Sequence, residues 1–302
     1  MGDGGARLLP EEARTALGGL QFRPRIAAEG RVSGVHASSH LGQSLEFSDL
    51  KGYAFGDDPR GIDWKVFART DKLYVRRYLD ETNLTAHLVL DGSGSMASPL
   101  TGGKYQHAAS ILAGLAYVLL RQGDEVGVTV ASALRPRSCA ARSVPSHLTE
   151  ILGVLSEARP AGGTVLLPAM QEVLGRARRK GVVVLASDLL TDFVPVVDTL
   201  GMLASRGHAV MLLHVLSQEE RTFPFQGTVV FRSEETGETA LLDARALRRK
   251  YLQAIEAFTT SVRGACHDSR VFYCPVPMLR SPHVEVAEVI RSVEVGRGRR
   301  VP

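Results

Sequence analysis

From about residue 84 the chain alternates short apolar runs with amphipathic stretches. NLTAHLVLD (83–91) reads as a buried strand that ends on Asp91. In KYQHAASILAGLAYVLLRQG (104–123), Ala108, Ile111, Leu112, Leu115 and Leu119 share one face at helical spacing. The same reading predicts strands at EVGVTVAS (125–132), GVVVLASD (181–188), HAVMLLHVL (208–216) and RVFYCPV (270–276). Helices are predicted over 146–158, opened by Ser146, and over 166–180, 194–207 and 244–262. Continuous β-branched runs such as 182–185 point to strands covered on both faces, as in a parallel sheet. Strand–helix alternation of this kind predicts an α/β doubly wound fold with a mostly parallel sheet.

GTVVFRSEETGETALLDA (227–244) breaks the rhythm, because two β-like runs flank EETGE. It reads as an inserted hairpin in which Gly237 supplies a positive φ. Residues 1–83 are richer in glycine, serine and charge, with no long amphipathic helix beyond 10–20, and read as a small β-rich or irregular N-terminal module. The expected division is therefore 1–83, an α/β domain over 84–295, and a disordered tail over 296–302.

Composition narrows the function classes. With 44% apolar and 23% charged residues in 302, the chain has the makings of an ordinary globular core. A net charge of +4 falls far short of the dense basic stripe of a nucleic-acid binder. Cys139, Cys266 and Cys274 show neither a C-x-x-C pair nor an even-numbered framework, so they read as reduced thiols of a cytoplasmic protein. The first residues lack the apolar segment of a signal peptide, and Ala6 breaks the myristoylation pattern. The apolar stretch 108–120 is too short to span a bilayer.

The chemistry centres on DGSGSM (91–96). A strand ending in Asp91 puts a carboxylate at the carboxyl edge of the sheet, where open α/β sheets bind ligands. Gly92 and Gly94 let the loop curl so that the Ser93 and Ser95 hydroxyls face the same point. AGGTVLLPAM (161–170) places Thr164 just before a helix, and ASDLLTD (186–192) ends a strand on Asp188. Asp91, Ser93, Ser95, Thr164 and Asp188 would together offer three hydroxyls and two carboxylates, which suits a hard cation such as Mg²⁺ or Mn²⁺. Each piece has a plainer reading, as an Asx turn, a helix cap or a strand-end turn. Their order along one α/β chain favours the site.

These three segments resemble the von Willebrand factor A fold with its metal-ion-dependent adhesion site. The resemblance implies that the serines and threonine ligate the cation directly or through water, with the aspartates acting mainly through water. One departure is Leu189, where many such domains carry glycine. LEFSDLKGYAFGDDPRGIDWKVFARTDKLYVRRYLDET (45–82) resembles the signature of a bacterial von Willebrand A-like family, domain of unknown function fifty-eight. The matching positions include Glu46, Phe47, Tyr53, Gly56, Asp57, Asp58, Arg60, Ile62, Asp63, Trp64, Ala68 and Arg69. This resemblance implies an adaptor or co-chaperone for a MoxR-type AAA+ ATPase or its client, engaged through an acidic side chain on the metal, while the lack of a nucleophile–base pair predicts no catalytic turnover of its own. Asp57, Asp58, Arg60, Asp63 and Arg69 are expected to form an ion-paired network between modules or a partner surface, with Trp64 half buried.

Competing motifs fail on particular residues. TGGKY is no P-loop, since Ser98 and Tyr105 stand where glycine and Ser/Thr are needed. A nucleophile elbow would need glycine at Asp91. The rival reading, a phosphatase-like metal-dependent hydrolase built on Asp91, lacks its general acid because Ser93 holds that position. His36 and His40 read as loop histidines, and His107, His208 and His214 as residues of helix or strand faces. Arg176 to Lys180 read as a solvated helix end.

Overall fold

The computed structural model describes residues 3–24, 46–55, 59–79, 84–97, 103–133, 136–232 and 239–295. The chain divides into two compact units, one of residues 1–29 with 84–302 and one of residues 30–83.

The chain opens with two short helices, α1 (Asp3–Leu8) and α2 (Glu11–Leu17). Leu8, Leu9, Ala13, Leu17 and Phe22 are buried in the core of the larger unit. Residues 3–24 therefore fold with the α/β domain, a different boundary from the expected 1–83. The physical reason is that their few apolar side chains find a large core there, which a short chain cannot build alone.

The smaller unit pairs β1 (Glu46–Gly52) antiparallel with β2 (Tyr74–Leu79), and between them lies α3 (Trp64–Thr70). Asp63 opens α3 by accepting hydrogen bonds from the Lys65 and Val66 backbone N–H groups at 2.9 and 3.2 Å. Asp71 closes it in the left-handed conformation at φ 53°.

In the larger unit follow β3 (Thr85–Asp91), α4 (Lys104–Arg121), β4 (Glu125–Ala131), β5 (Arg137–Arg142) and α5 (His147–Glu157). Then come α6 (Leu166–Arg176), β6 (Gly181–Ser187), α7 (Val194–Ser205), β7 (Ala209–Val215) and the short α8 (Gln218–Thr222). A hairpin of β8 (Thr228–Arg232) and β9 (Thr239–Asp243) leads into α9 (Ala244–Asp268), β10 (Phe272–Val276) and α10 (Pro282–Val295). Gly237 lies outside the described residues.

The sheet order is β10-β7-β6-β3-β4-β5, parallel throughout except for β5, which runs antiparallel at one edge. Period-2 alternation feeds two cores. Leu88, Leu90, Val182, Val184 and Leu213 join the core with α4, α5 and α10, while Val89, Val183, Leu185 and Leu212 join the one with α6, α7 and α9. Helix α4 is buried almost all round because α2, α5 and α10 cover it. At Gly114 an added Cβ would lie 2.8 Å from Val286 Cγ2, so this glycine sets how closely α4 and α10 approach.

Two predicted helices have other bounds. Helix α6 stops at Arg176, which is its exposed basic end, and Arg178, Arg179 and Lys180 follow it on the surface. Helix α9 runs to Asp268, beyond the predicted 262. Among the described residues no helix is long and apolar enough to cross a membrane.

Candidate functional site

Parallel pairing aligns the ends of β3 and β6, with Leu90 opposite Ala186. Asp91 and Ser187 thus leave the sheet side by side, and Asp188 comes one residue later. Asp91 is 2% exposed; its Oδ1 accepts from Ser93 N at 2.9 Å and its Oδ2 from the Ser187 hydroxyl at 2.5 Å. The loop then curls into a 3-10 turn over Gly94–Ala97, which brings Ser93 Oγ within 3.1 Å of Ser95 Oγ. Gly92 serves here by its size, since an added Cβ would stand 3.0 Å from the Ala131 carbonyl oxygen.

Two backbone hydrogen bonds tie this loop to the Thr164 segment. Gly94 N donates to Gly162 O at 2.9 Å, and Ala161 N donates to Gly92 O at 3.1 Å. Thr164 Oγ1 accepts from Leu166 N at 3.2 Å and is half buried at the start of α6. The segments carrying Asp91, Ser93, Ser95, Thr164 and Asp188 therefore meet at one edge of the sheet.

The electrostatics of this edge are unbalanced. Burial, then the negative charge of Asp188, pushes Asp91 up to about 6, with the hydrogen bonds from Ser187 and Ser93 opposing. Asp188 holds a partner that its strand-end position did not announce. Its Oδ2 accepts from Lys104 Nζ at 2.6 Å, and Lys104 Nζ also reaches Glu220 Oε1 at 2.6 Å. Lys104 has no exposed surface. Burial disfavours its charge, but the two carboxylates more than offset this and raise its pKa. Glu220 is fixed in turn by a capping box, with Ser217 N donating to its Oε2 at 2.9 Å. Lys104, Ser187 and Glu220 were missed because a lysine or glutamate in the first turn of a helix and a serine at a strand end carry no signal of their own. Only the pairing of β3 with β6 and the fold of α8 beside α4 make them neighbours of the site.

His214 supports the same edge from β7. Burial lowers its pKa to about 4, so the ring is neutral at pH 7. It donates from Nε2 to the Asp188 carbonyl at 3.1 Å and accepts at Nδ1 from the Tyr273 hydroxyl at 2.8 Å. Leu189, the departure from glycine, keeps a positive φ of 51° and buries its side chain fully against the β6–α7 core. Left-handed backbone costs a leucine about 1–2 kcal/mol, whereas removing a buried leucine side chain costs about 2–5 kcal/mol. Leu189→Gly is thus expected to destabilise the protein by about 2 kcal/mol in urea unfolding. A gain in stability would show that backbone strain outweighs burial here.

The donor set fits a hard divalent cation. Neutral hydroxyls from Ser93 and Ser95 face each other beside a buried carboxylate, and three carboxylates (Asp91, Asp188, Glu220) stand against one ammonium. Among the described residues no three His, Cys, Asp or Glu side chains gather as a metal cage, so the hydroxyls are essential to any such site.

The second group of expected residues is only partly described. Asp63 caps α3, and Arg69 is exposed on the same helix. Trp64, expected half buried, is 62% exposed and meets Phe67 edge-on at 6.0 Å. As the first residue of α3 its side chain leans toward the helix N-terminus, where no preceding turn covers the indole. Asp57, Asp58 and the Arg60 side chain lie outside the described residues, as do His36 and His40. The three cysteines are buried free thiols, and burial pushes Cys266 and Cys274 up to about 11.

Residues 49–260 match a family model described as Protein of unknown function DUF58. The uncharacterized protein Rv1480 of Mycobacterium tuberculosis is 27% identical over 283 residues, which span 92% of this chain and 88% of that protein. Among solved structures, BatB from Bacteroides thetaiotaomicron is similar over 72% of this chain and 100% of its own, with 15% identity and a TM-score of 0.48. The SpRpn10 VWA domain is similar over 69% of this chain and 95% of its own, with 10% identity and a TM-score of 0.40. The observed strand order, with helices on both faces and one antiparallel edge strand, is a doubly wound, mostly parallel sheet, as the resemblance to the von Willebrand factor A fold implies.

Proposed function

The chain belongs to the DUF58 family, and from that premise we propose that it is a cation-dependent protein-interaction module. In this reading Mg²⁺ or Mn²⁺ is held by Ser93, Ser95 and Thr164 through their hydroxyls, with Asp91 and Asp188 acting mainly through water. The observation that supports it is the meeting of three sequence-distant segments at one sheet edge, tied by the Gly94–Gly162 hydrogen bond. When bound, the cation would supply a hard positive charge at this sheet edge.

The chain's own groups explain why a partner carboxylate would be drawn to that charge. Neutral hydroxyls would leave the cation's charge only partly compensated, and an acidic side chain from another protein would supply the missing negative charge. The partner in this reading is a MoxR-type AAA+ ATPase or its client, and the protein acts as its cytoplasmic adaptor without turnover of its own. The hydrogen-bond partners of the Asp91 carboxylate are the Ser187 hydroxyl and the Ser93 N–H; neither is an acid able to protonate a leaving group.

Calorimetric titration with Mg²⁺ tests the site. A wild-type Kd of about 10⁻⁴ to 10⁻³ M is expected, as for few-charge oxygen sites, with no binding heat in Asp91→Ala. Pull-down of the ATPase should succeed in Mg²⁺ and fail in chelator or with Ser93→Ala. Equal recovery in chelator would exclude metal-bridged capture.

A further inference from the structure

Lys104 is the least expected feature of this edge. An ammonium has three N–H donors, and two of them here are spent on Asp188 Oδ2 and Glu220 Oε1, each at 2.6 Å. The other Asp188 oxygen, Oδ1, accepts from Leu190 N at 3.1 Å. The carboxylate that the metal reading assigns to a divalent ion is thus already neutralised by a cation of the chain. Glu220 is presented by α8 with its Oε2 held by Ser217 N, so it cannot swing away from Lys104 without breaking the capping box.

We propose that Lys104 is a built-in stand-in cation, which neutralises Asp188 when no metal is bound and is retained by Glu220 when a divalent ion takes over Asp188. This rests on the cation reading of the site. Two cations beside one buried carboxylate repel each other strongly where the dielectric constant is low. An ammonium stranded without a partner in the interior is more costly still. Glu220 solves both problems, because Lys104 can yield Asp188 and still keep a charged partner at hydrogen-bond distance. Lys104 and Glu220 are therefore positioning residues that set the metal affinity from opposite sides.

The test is Mg²⁺ titration calorimetry on wild type, Lys104→Met, Glu220→Gln and the double variant, with near-UV circular dichroism to confirm folding. Removing the competing ammonium should tighten Mg²⁺ binding by about tenfold or more, and Glu220→Gln should weaken it by about threefold or more. If Glu220 acts through Lys104, its substitution should change little in the Lys104→Met background. Unchanged or weaker binding in Lys104→Met, or the same factor for Glu220→Gln in both backgrounds, would overturn the proposal. Should Lys104→Met fail to fold, the ¹⁵Nζ resonance of Lys104 in the wild type decides: Mg²⁺ is expected to shift it, and an unmoved signal overturns the stand-in role. A wild type that gives no more heat than Asp91→Ala counts against the metal reading itself. In that event an Asp91-dependent heat appearing in Lys104→Met still supports the stand-in role, and its absence overturns it.

Discussion

Truncating Lys104 to alanine is expected to cost the α/β domain about 3–5 kcal/mol in denaturant unfolding, the range for breaking one partner out of a buried ion pair. The side chain is wholly buried, and its ammonium is the shared partner of Asp188 and Glu220. Its removal leaves two carboxylates with no counter-charge between them and a void where the aliphatic stem had packed. Adding Glu220→Gln to the same chain should recover part of the loss, since one uncompensated charge is then gone. A loss under about 1 kcal/mol, the level of an exposed ion pair, would mean that water reaches this cluster and that the low-dielectric argument for the site is wrong.

Asp91→Asn should act in the opposite direction and raise the stability of the metal-free protein by about 3 kcal/mol at pH 7 and above. Burial and Asp188 lift Asp91 from 3.8 to about 6, so between these values the folded chain binds more protons than the unfolded one. Stability contributed by this group is consequently lost as pH rises from about 4 to 6, and the deficit stays constant above. Asparagine cannot ionise; its oxygen can still accept from Ser93 N and its amide donate to Ser187 Oγ. The gain should vanish at pH 4, where Asp91 is protonated in both states. His214 runs the other way, because its pKa of about 4 makes the folded state lose stability as pH falls below 6.5. In Asp91→Asn this acid lability should emerge as a steeper decline between pH 6.5 and 4. Thermal unfolding of both proteins across pH 4–8, with and without Mg²⁺, checks the signs, and Mg²⁺ should narrow the gap by stabilising only the wild type. A destabilised Asp91→Asn at pH 7 without metal would show that the carboxylate is not held at a cost.

A carboxylate that weakens the folded chain is what a site kept for binding looks like, and it was visible in the sequence as DGSGSM. The sequence alone determined the α/β architecture, because strands such as 181–187 must be apolar on both faces and helices such as 104–121 must carry a stripe at 3.6-residue spacing. It also determined the inserted hairpin, and it placed Asp91, Thr164 and Asp188 at strand ends or helix starts. These are local properties, written in periodicity and turn chemistry.

Tertiary structure decided the rest. The edge strand 137–142 alternates weakly and carries charge, so its antiparallel pairing with β4 depends on the neighbour more than on itself. Residues 3–24 hold too few apolar side chains to announce a core, yet they complete one that already exists. Leu189 departs from glycine in the Asp188 loop, and its positive φ together with its burial against the β6–α7 core are properties of the folded loop alone. Lys104 and Glu220 stand 116 residues apart, and nothing local in either marks the other. A single ammonium between the buried Asp188 and the partly buried Glu220 arises only where the chain brings α4, α8 and the end of β6 together, since low dielectric and mutual proximity are properties of the fold and not of any one residue.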